Sequence, residues 1–271
     1  MIKLPYYKLI IHLEVDKIKK MNKYLTPIAI VITGALIAGV IFWTKEIKTN
    51  APTTVKNNTE SSVVTPINEK DHILGSSEAD IVVVEYGDTE CPPCKMFHTV
   101  MHQITDVYGK TGQVAWVFRH SPITGLHSKA PKEAEATECA TLLGGESMFW
   151  KFLDQIYTVT PGNNGLDLAE LPKIATSLGL DITKFNECLS SGSQKSIVDQ
   201  DLADAIKITG GQLSTPHIEI ILKNALTDEK ITNITTSFGT NMVIGTDKKH
   251  ISFSGAYQYN AFKAFVDIIL K

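Results

Sequence analysis

Two cysteines separated only by prolines, Cys91-Pro92-Pro93-Cys94, follow closely on the β-branched run IVVVEY at residues 81–86. The run is apolar at both alternating faces, as a central strand covered on both sides must be, and only Glu85 interrupts it. Beyond Cys91, the residues Phe97, Val100, Met101, Ile104 and Val107 keep helical spacing. Gly-Lys-Thr-Gly at 109–112 stops that helix, and a second strand is predicted over 113–118. The chain is therefore held to a β-α-β unit whose helix opens on a CxxC. There Cys91 meets unpaired N–H groups and the positive end of the helix dipole, which stabilise a thiolate and make it the attacking sulfur. Cys94, one turn on, is the natural resolving thiol.

The remainder is mixed α/β. Helical segments fill residues 132–207, strands return at 217–222 (HIEIIL) and 250–254, and a closing helix over 257–270 carries Phe262, Phe265, Val266 and Ile269. An all-helical block, about residues 126–208, is thus inserted between the second and third strands.

The N-terminal part follows different rules. Residues 25–43, LTPIAIVITGALIAGVIFW, run 19 residues without a charge and span about 28 Å as a helix, close to the hydrocarbon thickness of a bilayer. Lysines at 3, 8, 17, 19, 20 and 23 outweigh those at 45 and 48, which predicts a cytoplasmic segment 1–24 and an extracytoplasmic remainder. The alternative, a cleaved signal peptide, fits poorly, because such apolar regions are shorter and end in a small-x-small site. Residues 44–70 have linker composition, and the folded domain is predicted as 71–271. The protein is expected as a single-pass cell-membrane protein with its domain outside, where disulfides persist. Cys139 and Cys188 in the helical block are read as a structural disulfide, with free buried thiols as the alternative. A net charge of −3, with no massed lysines in the domain, excludes a nucleic-acid partner.

A metal clamp is the first rival for the CxxC. His98 and His102 follow Cys94 at four and eight residues, but about 12 Å of helix separates Cys94 from His102, and no second CxxC exists. No metal is predicted, and the histidines are read as solvated. A purely structural local disulfide is the second rival, and a four-residue loop makes a labile staple.

A CxxC after a strand in a β-α-β unit has the thioredoxin-like signature. The segment LGSSEADIVVVEYGDTECPPCKMFHTVM resembles the active-site region of the DsbA-like family of extracytoplasmic thiol:disulfide oxidoreductases, and VAWVFRHSPI resembles its next strand. The insertion, STPH at 214–217 and ISFSGAYQYNAFKAFVDIIL extend the likeness over nearly all of 71–271. The resemblance implies a thioredoxin-like fold with an inserted helical domain, Cys91 as nucleophile, Cys94 as resolving cysteine, and Thr215 with Pro216 as a cis-proline pair facing substrate. It also implies that Glu85 is a buried acid beneath the cysteines, suited to exchange a proton with Cys94. A Glu reaching solvent from a strand end is the competing reading. Cysteine-containing proteins are the implied substrates and a quinone-linked membrane protein the implied redox partner of an oxidase; no cofactor is expected. The alternative function is a non-catalytic module holding client peptides or a metal ion.

One departure from the family stands out. About 35 residues separate Pro216 from SFSGAY, including the polar stretch KNALTDEKITNITTSFGT. Either the hairpin loop is enlarged, or TNMVIGT at 240–246 is the post-proline strand with Asn241 in the proline's place. The prolines of the CxxC also delete backbone N–H groups, leaving the Cys94 amide and the helix dipole as the expected main stabilisers of the thiolate.

Overall fold

The computed structural model describes residues 64–239 and 241–271, all within one compact unit, Thr59–Lys271. The predicted anchor 25–43 and the cytoplasmic segment 1–24 lie outside the described residues, and among the described residues no helix is long and apolar enough to cross a membrane.

Six strands form one sheet: β1 (His72–Leu74), β2 (Ile81–Gly87), β3 (Val114–His120), β4 (His217–Leu222), β5 (Val243–Ile244) and β6 (His250–Ser254), in the order β1-β3-β2-β4-β6-β5. β2 and β3 are parallel; every other pairing is antiparallel. All seven residues of β2 are buried, as its unbroken apolar run requires. Strand parity then assigns the faces. Ile81 and Val83 of β2 join Trp116, Phe118, Ile218 and Ile220 in one core, under helix α1 (Pro92–Ile104) and the last helix. Val82, Val84 and Tyr86 face the other way, toward Ala115, Val117 and Ala205. Glu85 has the parity of Ile81 and Val83, so its carboxyl is directed to the face covered by α1.

The crossover from β2 to β3 is α1 extended by one π-helical turn, Thr105–Gly109. The insertion between β3 and β4 comprises α2 (Ala130–Gly144), α3 (Glu146–Val159), α4 (Glu170–Ser177), α5 (Ile182–Ser191) and α6 (Lys195–Ile208). It has its own apolar core of Phe152, Ile156, Leu171, Ile174 and Phe185. Within that core Cys139 and Cys188 are joined by a disulfide, with Cα atoms 5.9 Å apart. Arg119, at the end of β3, ties the parts together: it donates to both carboxylate oxygens of Asp71, at 2.7 and 3.0 Å, and to Asp204 of α6 at 2.9 Å.

Three local differences separate the structure from the expectation. Residues 64–70 read as linker, yet Val64 is buried and the Thr65 carbonyl accepts from Arg119 at 3.0 Å, because the second sheet face needs apolar cover beside Ala205. The three-residue strand β1 has no period long enough to be visible in sequence. The stretch read as an enlarged loop is a helix, α7 (Asp228–Phe238), capped by the Thr227 hydroxyl accepting from the Lys230 N–H at 3.2 Å and ended by Gly239 at φ 78°. Its β-branched composition concealed one apolar face, Ile231, Ile234 and Phe238, which packs on the last helix, α8 (Tyr259–Leu270). TNMVIGT does not supply the post-proline strand: Val243–Ile244 is the edge strand β5, paired with β6.

Candidate active site

Cys91 caps the N-terminus of α1 with extended backbone (φ −85°, ψ 117°), and Pro92 and Pro93 occupy the first two helical positions, where no N–H is required for the helix. Both CxxC cysteines are free thiols, and their surroundings differ. Cys91 lies at the surface edge of the core, its Sγ 3.3 Å from the Thr215 carbonyl. The Cys94 side chain does most to lower its pKa, to about 6; burial opposes, while the Thr215 side chain and the Cys94 amide assist. Cys94 is fully buried, and burial pushes its thiol well up, with the neighbouring Cys91 and Glu85 adding to the rise. The side chain of Cys94 contributes more to lowering the Cys91 thiol than the Cys94 amide anticipated from sequence.

The peptide bond between Thr215 and Pro216 is cis, and the pair sits where β4 begins, directly across from Cys91. Pro216, not Asn241, therefore occupies the position that the resemblance implied. Glu85 is completely buried, which excludes the solvent-reaching alternative. Its Oε2 accepts from the Trp116 indole N–H at 3.1 Å, Oε1 has no partner among the described residues, and burial pushes the carboxyl well above its ordinary range. A carboxyl raised in this way keeps its proton to higher pH than a free one, the property that suits it to exchange a proton with Cys94.

The sign of this shift yields a stability prediction. A carboxyl with a raised folded pKa binds its proton more tightly when folded. Its contribution is complete below the ordinary value of 4.5 and is lost as pH rises toward the folded value. Glu85→Leu is therefore expected to stabilise the reduced protein by about 1–3 kcal/mol at alkaline pH and by little in acid, while slowing exchange by about 100-fold. Urea unfolding at two pH values, with exchange rates alongside, checks both halves.

Several site residues were not foreseen. Asp88 organises the loop before α1: its carboxylate accepts from the N–H of Glu90 at 2.9 Å, of Ile123 at 2.8 Å and from His127 Nδ1 at 2.9 Å, and its carbonyl accepts from the Cys91 N–H at 3.1 Å. The Tyr157 hydroxyl of α3 donates to the same carbonyl at 3.3 Å. Glu90 accepts from the backbone N–H groups of Gly165 and Leu166 at 3.1 and 3.0 Å, binding the insertion to the active-site loop. Nearby Glu133 is pushed up to about 8, first by burial and then by Glu90. An Asp three residues before a helix cap is a readable loop signal; Tyr157 and Glu133 reach the site only through tertiary packing.

The histidines correct the sequence expectation outright. His98 is 5% exposed, not solvated. Its place one turn beyond Cys94 puts it on the buried face of α1, where its ring centroid lies 5.0 Å from Trp116 and 4.6 Å from Tyr157. His102 is half-buried, and both rings bond Asp154 of α3.

A parallel β-α-β crossover that opens on one lowered and one raised thiol, beneath a cis-proline loop, defines a thioredoxin-type dithiol domain. The chain belongs to the thioredoxin family: that family, described as Thioredoxin, matches residues 67–235, more than half of the 271. Among solved structures it is similar to Wolbachia pipientis α-DsbA1, at 22% identity and TM-score 0.58, over 77% of this chain and 95% of that one. It is similar also to Bacillus subtilis BdbD in oxidised form, at 21% identity and TM-score 0.53, over 74% and 92%. The fold is thus the one DsbA proteins share. A curated relative, Na(+)/H(+) antiporter NhaA 3 of Salinispora tropica, is 33% identical over 144 residues, 52% of this chain and 21% of that protein. The chain spans only about a fifth of that protein's length, so the match concerns one part of it.

Proposed function

We propose that the chain is a thiol:disulfide oxidoreductase that exchanges disulfides with cysteine-containing proteins through Cys91 and Cys94. The observation that carries this reading is the split between two adjacent thiols, Cys91 lowered to about 6 and Cys94 raised. In the oxidising direction a substrate thiolate attacks Cys91 Sγ of the Cys91–Cys94 disulfide, and the intramolecular S–S bond breaks. Cys94 leaves with the electron pair and takes a proton, and the donor role is assigned to Glu85, whose buried carboxyl shares its sheet face with α1 and is raised. A second substrate thiolate then attacks the substrate sulfur of the mixed disulfide. Cys91 departs as a thiolate, and two electrons have passed from substrate to protein. Reversing each step gives reduction. The low pKa of Cys91 makes it a good leaving group and favours the reduced dithiol, which supports the oxidising direction. Thr215 and Pro216 border Cys91 and form the edge against which a substrate peptide would lie.

The uncharged run 25–43 and its lysine asymmetry support membrane anchoring with the domain outside, and an oxidase so placed would be reoxidised by a quinone-linked membrane partner. Digestion of the domain by protease added to intact cells tests the placement. The full chain, supplied with insulin and dithiothreitol or with a dithiol peptide, tests the activity: turnover of either substrate is expected, and peptide binding without turnover would leave only a client-binding module.

A further inference from the structure

We propose that His98, His102 and Asp154 form a binding site for a divalent transition-metal ion of the zinc class, bridging α1 and α3 outside the dithiol site. His98 and His102 are one turn apart on α1, the i, i+4 arrangement that brings two imidazoles to one ion. Their Nε2 atoms stand 3.2 Å apart, and both lie close to Asp154 Oδ1, His98 at 2.7 Å and His102 at 2.8 Å. Around zinc, with bonds of about 2.0–2.1 Å, neighbouring tetrahedral ligands are about 3.3 Å apart. The two nitrogens already meet that spacing, and the carboxylate needs an outward movement of about half an ångström. Asp154, with 40% of its side chain exposed, is free to make it.

The surroundings hold the ligands rather than merely tolerate them. His98 is gripped between Trp116 and Tyr157, and His102 meets Trp116 edge-on at 5.4 Å. His98 Nδ1 has no partner among the described residues, so the ring has one working polar edge, and that edge points at Asp154 and His102. The three ligands border a pocket of about 400 Å³ that Lys95, Thr99 and Thr158 help to line. A fourth coordination position would open into it, giving three protein ligands and one exchangeable water. Two imidazoles and one carboxylate suit zinc, nickel or copper(II); calcium and magnesium require oxygen cages, and copper(I) selects sulfur. Thr99 stands where a zinc peptidase helix has its glutamate base, so the site implies an ion clamp and no hydrolysis. Because Cys91 caps α1, an ion shared with α3 would fix the active-site helix against the insertion.

The test uses the full chain with Cys91 and Cys94 oxidised, so that thiolates do not compete. Titration with zinc chloride alone is expected to show one equivalent bound, cobalt(II) to give the visible absorption of a four-coordinate site, and zinc to raise the melting temperature. Loss of a supporting group around a ligand already costs 10–100-fold in affinity, so His102→Ala and Asp154→Asn should each bind at least about 100-fold more weakly. Both positions are half-exposed, and circular dichroism confirms that the variants fold. No binding by the parent protein, or unchanged affinity in either folded variant, overturns the site.

Discussion

Cys91→Ser is expected to retain less than about one thousandth of the parent activity in insulin reduction, while folding normally. A serine hydroxyl in the same place is not ionised at any working pH, so the group that forms the mixed disulfide is gone. Nothing else can substitute, because Cys94 is fully buried and its thiol is pushed well up. Cys94→Ser should behave differently. It keeps the attacking thiolate, loses the resolving thiol, and should accumulate a mixed disulfide with substrate that mass spectrometry detects. Equal activity of Cys91→Ser and the parent would move the chemistry elsewhere.

Removing the second cysteine pair should strike stability instead. The Cys139–Cys188 bridge closes a loop with a sequence separation of 49 residues. The chain-entropy relation assigns such a loop about 4 kcal/mol. Cys139→Ala with Cys188→Ala should thus lower the melting temperature by about 8–16 °C, with exchange activity retained in the folded protein. The bridge joins α2 to α5 inside the insertion core, far along the chain from Cys91, so the loss is one of stability and not of redox chemistry. Calorimetry of the double variant, beside the parent, measures it; an unchanged melting temperature would mean that the unfolded chain is not restrained by this loop.

Much of the site was legible because its parts are local. The strand over 81–86, the CxxC and the helical spacing after it are contiguous, while the buried place of Glu85 came from the resemblance and the strand parity seen in the structure agrees with it. Thr215 and Pro216 came from resemblance, and the cis bond opposite Cys91 agrees with it. What sequence did not show depends on distant partners. His98 looked solvated because the groups that bury it, Trp116, Tyr157 and Asp154, come from β3 and α3. The helix α7 was hidden by β-branched residues that score as poor helix formers, although Thr227 and Gly239 mark its ends. Residues 64–70 have the polarity of a linker and are ordered by Arg119 and by the apolar sheet face that Val64 helps to cover, neither of which composition can report.

Alkylation of the reduced full chain by iodoacetamide, followed across pH with the modified residue mapped by mass spectrometry, tests most directly whether Cys91 is the poised nucleophile. The expected result is selective modification of Cys91 at a rate that rises through a midpoint near 6, with Cys94 untouched at neutral pH. A midpoint at or above the free-cysteine value of about 8.5, or equal modification of Cys94, would contradict it.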